Sequence, residues 1–132
     1  MPDSYHAKLA DVLVGYSTRV REGDVVLIES PVTAAPLLRE VFRRVVRAGG
    51  HPQLRLSIET MIEALLRNGN DEQLEWVNPV RVEDFERADA RIVLLSSSNT
   101  RGLTTVDPSR QALYGRAHEQ LGNRYLERAF HT

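Results

Sequence analysis

Apolar positions recur at two different periods along the chain, and the switches between them outline its elements. Tyr5, Leu9, Val12, Leu13 and Tyr16 fall at helical spacing, with Asp3 or Ser4 available as the N-cap. Arg21-Glu22-Gly23-Asp24 breaks that pattern as a turn, Gly23 being free to take a positive φ. Val25–Ile28 follows, apolar on both faces as a central parallel strand requires. Leu37, Leu38, Val41, Phe42, Val45 and Val46 form the apolar face of the next helix, with Arg39, Arg43, Arg44 and Arg47 over the remainder. Thr33 is its expected cap, Pro36 fits its first turn, and Gly49-Gly50 ends it.

Leu54, Leu56 and Ile58 alternate with Gln53, Arg55 and Ser57, the pattern of a half-exposed strand. Met61, Ile62, Leu65 and Leu66 predict a short helix closed by Asn68-Gly69. Asn70 with Gln73 predicts a capping box opening one further turn that ends near Trp76. A short helix starting at Val82–Phe85 leads to a third strand, Ile92–Leu95. Asp107-Pro108 then opens a last helix through Leu113, Ala117, Leu121 and Tyr125, the aspartate as N-cap and the proline at the first helical position.

Helical crossovers between apolar strands imply parallel pairing with right-handed connections. The expected fold is a three-layer, Rossmann-like α/β domain with a small, mainly parallel sheet in the order 2-1-3. Its 132 residues fit a single domain spanning 1–132. Three strands make a small sheet, and the last helix still carries Tyr125, Leu126 and Phe130 near the end, so a domain cut from something larger is expected.

Composition narrows the function. A net charge of −1 gives no overall basic field for nucleic acid or anionic lipid. The absence of cysteine excludes thiolate catalysis, disulfides and cysteine-ligated zinc. Apolar runs such as Val25–Ile28 fall far short of the roughly 20 residues that span a membrane. The opening segment resembles neither a signal nor a transit peptide, so a cytoplasmic location is expected. Lys8 is the only lysine among the basic residues.

Most catalytic motifs fail on inspection. His118-Glu119 begins like a zinc-binding His-Glu-x-x-His helix, but the fifth position is Gly122. His6, His51 and His131 stand far apart, without carboxylates at ligand spacing. The first strand leads into Glu29-Ser30-Pro31-Val32-Thr33 rather than a glycine-rich phosphate loop, and no Gly-x-Ser-x-Gly elbow surrounds Ser96, Ser97 or Ser98. Glu83, Asp84, Glu86 and Asp89 lie among Arg81, Arg87 and Arg91, as on a solvated surface, and the row Arg39, Arg43, Arg47 fits the exposed side of its helix.

One constellation remains. In open α/β sheets, ligands bind beyond the carboxyl ends of the strands where strand order reverses. That crevice falls between Glu29-Ser30 and Ser96–Arg101, making Ser30, Asn99 and Arg101 its candidate binding residues. Asn99 offers an amide donor and acceptor, and Arg101 can clamp a carboxylate or phosphate.

Several segments together resemble the aminopeptidase T and aminopeptidase S family of thermophilic metallopeptidases. They are Leu9-Ala10, Val20–Ile28, Pro36–Arg39 and Arg47–Pro52, then Ala88–Ile92, Asn99–Leu103 and Val106–Pro108. The likeness runs from Leu9 to Arg116 as a distributed pattern without one catalytic motif. It implies an exopeptidase that removes N-terminal residues from peptides, acts as a homodimer, and holds two divalent metal ions, zinc or cobalt. In the family the metal ligands belong to a C-terminal domain, so no catalytic, cofactor-binding or metal residue transfers to this chain, and none of the ions is expected in it. The resemblance makes the chain a supporting N-terminal domain that walls the substrate cleft through Ser30, Asn99 and Arg101 and helps the dimer form. A freestanding small-ligand or protein-binding α/β module is the alternative.

Overall fold

A computed structural model of the chain describes residues 5, 8–10, 14–15, 19–94 and 105–131. They form two compact units, one comprising residues 1–57 and 88–98, the other residues 58–87 and 99–132.

The first unit is built around β1 (Val25–Pro31), which lies between β2 (His51–Ser57) and β3 (Ala90–Val93) in an all-parallel sheet of order β2-β1-β3. This is the order expected from the sequence. β1 runs past Ile28 through Glu29, Ser30 and Pro31, because β2 pairs with it residue for residue as far as Pro31↔Ser57. β3 starts at Ala90, two residues before its expected beginning. The register puts Val26, Ile28, Ala90 and Ile92 on one face of the sheet. They pack there with Leu94, with Val41 and Val45 of α1 (Ala35–Arg47), and with Ala10 and Val14. Leu27 points the other way and is also buried.

Local bonds fix both ends of this unit. Thr33 does not cap α1; a 3-10 turn over Val32–Ala34 precedes the helix and moves its N-cap to Ala34, which uses no side chain. Pro36 sits in the first turn as expected. At the other end Gly49 N–H donates to Val46 and Gly50 N–H to Val45, the paired bonds of a left-handed helix stop. Gly49 has φ +85°, and a Cβ there would approach Glu22 Cγ at 2.9 Å. The two turns are then tied together: Gly23 N–H donates to Gly49 O at 2.9 Å, and His51 N–H to Asp24 O at 2.6 Å.

The second unit contains α2 (Glu59–Asn68), α3 (Asp71–Glu75), α4 (Pro79–Arg87) and α5 (Pro108–His131). Leu66, Leu74 and Val106 form its buried centre, with Ile62, Leu65, Leu113 and Tyr114 packed around them. The Asn70–Gln73 capping box is present with both reciprocal bonds at 2.8 Å. Asp107 caps α5 by accepting the Ser109 N–H at 2.9 Å. α4 begins three residues before its expected start, because Asn78 Oδ1 accepts the Val80 N–H at 3.0 Å and Pro79 occupies the first helical position. Arg110 closes the C-terminal end of α2, its Nε donating to Leu66 O at 2.7 Å and its Nη2 to Gly69 O. Around Phe85 the Arg81 guanidinium lies 5.9 Å from the ring centre.

Two outcomes test these ends. Gly49→Ala is expected to lower the unfolding free energy by at least about 1 kcal/mol, from the positive φ alone, in urea titration. The backbone and side-chain bonds from Ser109 hold the Asp107 carboxyl below its usual range. A depressed folded-state pKa stabilises above the unfolded value of about 3.9 and ceases to do so as pH falls through the folded one. Wild type should therefore melt higher than Asp107→Ala at neutral pH, with the gap narrowing below about pH 4.

Candidate functional site

The carboxyl end of β1 is where the sheet concentrates polar chemistry. Five successive residues of this strand, Val26 to Ser30, are buried, and the last two of them are polar. Glu29 alternates with Ile28 and so projects from the face opposite the apolar cluster. The residue is only 8% exposed, a position in which its carboxylate demands a compensating charge. Arg91 supplies it: Nε lies 2.7 Å and Nη2 2.5 Å from Glu29 Oε2.

The register explains the meeting. Glu29 pairs with Val93 and Leu27 with Arg91, so Arg91 is the diagonal neighbour of Glu29 on one face. Across β1, Arg55 of β2 is the in-register partner of Glu29. Three alternating charges, Arg55, Glu29 and Arg91, thus cross the sheet in a row. The expectation that Arg91 belongs to a solvated acidic-basic surface is corrected here: it lies inside β3 and its side chain is 23% exposed. Asp89 is exposed, as expected of that surface, and it also accepts the Val25 N–H at 2.8 Å while its own N–H donates to Val25 O. Glu83 and Arg87 do behave as expected, forming an exposed i,i+4 pair at 2.7 Å. Alternation with buried Ala90 and Ile92 marks Arg91 as a strand residue, while its partner is set by the register with β1.

Of the three candidate cleft residues, Ser30 is 3% exposed and its hydroxyl donates to Pro31 O at 2.8 Å. Asn99 and Arg101 lie outside the described residues, as do Ser96–Ser98. A carboxylate already bonded to a guanidinium is a fixed acceptor rather than a general base, and a hydroxyl directed at a carbonyl is not an activated nucleophile. The chemistry of this end is charge placement.

His118 stacks on Tyr114 with ring centres 4.0 Å apart, and its Nδ1 lies 2.8 Å from Tyr114 O, a packing role one helical turn long. His51 is exposed at the start of β2. Among the described residues no three His, Asp or Glu side chains come together as a metal-holding group.

Comparison with known proteins places this geometry. The model of a family described as thermophilic metalloprotease (M29) matches residues 3–131. Among solved structures the chain is similar to wild-type AmpT from Thermus thermophilus, with a TM-score of 0.75 and 18% identity. That likeness covers 92% of this chain and 32% of AmpT, so the chain spans about a third of that structure's length. No curated protein matches.

The Glu29–Arg91 contact predicts its own energetics. Glu29→Gln should lower the unfolding free energy by about 2 kcal/mol, because it leaves a partly buried guanidinium without its counter-charge. Replacing both by leucine should recover most of that loss in urea titration. A loss in the double variant equal to the sum of those in Glu29→Leu and Arg91→Leu would show that the two side chains are not coupled.

Proposed function

This chain belongs to the thermophilic metalloprotease (M29) family, and from that premise we propose that it is the non-catalytic N-terminal domain of a metal-dependent aminopeptidase. The parent enzyme removes N-terminal residues from peptides in the cytoplasm and works as a homodimer. In this reading the domain walls the substrate cleft, and Ser30, Asn99 and Arg101 are its candidate cleft residues. The observation that carries the reading is the family match along residues 3–131. It is supported by a fold likeness that occupies a third of a longer chain.

The divalent ions implied by the family find no donor set among the described residues, so no hydrolytic step is assigned to them here. In the proposed division of labour the two ions, zinc or cobalt, sit in the remainder of the parent protein. This chain contributes shape and charge: Arg91 pairs with Glu29, and the buried Ser30 donates to Pro31 O at the strand end.

The test is direct. With added zinc or cobalt, the purified chain should hydrolyse leucine p-nitroanilide no faster than the metal salt alone, and calorimetry should show no saturable binding of either ion. Turnover above the salt background would place catalysis within these residues and overturn the division of labour.

A further inference from the structure

We propose that the edge of β2, which no strand covers among the described residues, docks an extended acidic peptide segment, with apolar residues at alternate positions, as a fourth strand of the sheet. The motive is an apolar ledge that continues past the edge of the core. α1 is apolar over a wider arc than the sheet beneath it covers: Val41 and Val45 are buried, yet Phe42 is 37% and Val46 52% exposed. On the same face of the sheet, Leu54 and Leu56 of β2 are 45% and 50% exposed. Ala35, Leu38, Phe42 and Leu54 line a groove of about 460 Å³ there, with Arg39 and Arg43 on its rim. Side chains of this size clustered at one edge mark a contact surface rather than scattered exposure.

The backbone specifies what form the occupant takes. His51 N–H bonds to β1, so residues at odd positions of β2 face inward and those at even positions face out. Pro52 occupies the first outward position and has no N–H to offer, as suits an edge. Leu54 and Leu56 present their N–H groups outward, and Pro52, Leu54 and Leu56 their carbonyls. An extended chain satisfies these groups and sets every second side chain on the ledge, the geometry of strand addition.

Charge selects among extended chains. On the ledge side Arg39 and Arg43 border the groove and Arg47 continues their row, whereas Glu40 of the same helix is paired with Arg43 at 3.2 Å. On the other side of the sheet Arg55 of β2 stands in register with Glu29, whose carboxylate is paired with Arg91 on β3. The ledge side of the edge therefore carries the excess of guanidinium, which favours carboxylates on the incoming strand beside its apolar residues. A second copy of the chain pairing β2 to β2 would set these arginines against their own equivalents, so like charges oppose that arrangement.

The experiment uses the whole chain and a fluorescein-labelled, end-capped peptide with valine at two alternate positions and glutamate elsewhere. Fluorescence anisotropy should show saturable binding that weakens about tenfold in Arg39→Glu/Arg43→Glu and weakens again with added salt. A peptide with lysine in place of glutamate should not bind, and N-methylation of alternate amides should abolish binding of the acidic one without altering the protein. Absence of binding, or equal binding of the lysine peptide, would overturn the proposal. So would indifference to N-methylation. Sedimentation that shows a dimer broken by Leu54→Lys, with peptide unable to compete, would assign the edge to a second copy instead. None of these readouts involves hydrolysis, so they stand or fall apart from the aminopeptidase reading.

Discussion

The first unit depends on one constraint: β1 is buried along nearly its whole length, so every polar group it carries must find a partner inside the protein. Parallel pairing on both sides meets most of that demand. The remainder falls to particular residues at the ends. Asp89 takes the Val25 N–H at the start, Leu94 N–H reaches Glu29 O at 2.8 Å near the finish, and the Glu29 side chain receives Arg91. Each partner stands on β3 or beside it. The shortest strand of the sheet therefore carries the electrostatic closure of the central one.

Helix ends in both units obey a similar rule by different chemistry. A glycine in the left-handed region stops α1, while α2 is closed by an arginine arriving from α5. The glycine solution is local, and its sequence signal is correspondingly plain. The arginine solution needs a residue 44 positions away, and nothing near Leu66 announces it.

That contrast accounts for which parts of the fold were legible in the sequence. Where a bond joins residues three or four apart, pattern and structure agree: the Asn70–Gln73 box and the Asp107 cap form as their residues suggest. Asn78-Pro79 carries the same message as Asp107-Pro108, yet the apolar spacing nearby drew the start of α4 to Val82. The hydrophobic periods were sufficient for the strand order because burial acts on whole stretches. They were insufficient for Arg91 and Asp89, whose meaning lies in the register of strands far apart in sequence. For the candidate cleft, Ser30 is placed and buried, and Asn99 and Arg101 are beyond the described residues.

The sheet also has an order of assembly built into it. β2 follows β1 after a single helix, whereas Asp89, which receives the first N–H of β1, lies 64 residues beyond Val25. At a synthesis rate of roughly 5–20 residues per second, that interval lasts about three to thirteen seconds. During it, β1 has one neighbour and one open side, and Glu29 stands in register with Arg55 but still awaits Arg91. Charged side chains near the end of an open strand discourage other apolar strands from pairing there. The same glutamate that later receives Arg91 thus marks the open side of the nascent sheet until its own third strand arrives.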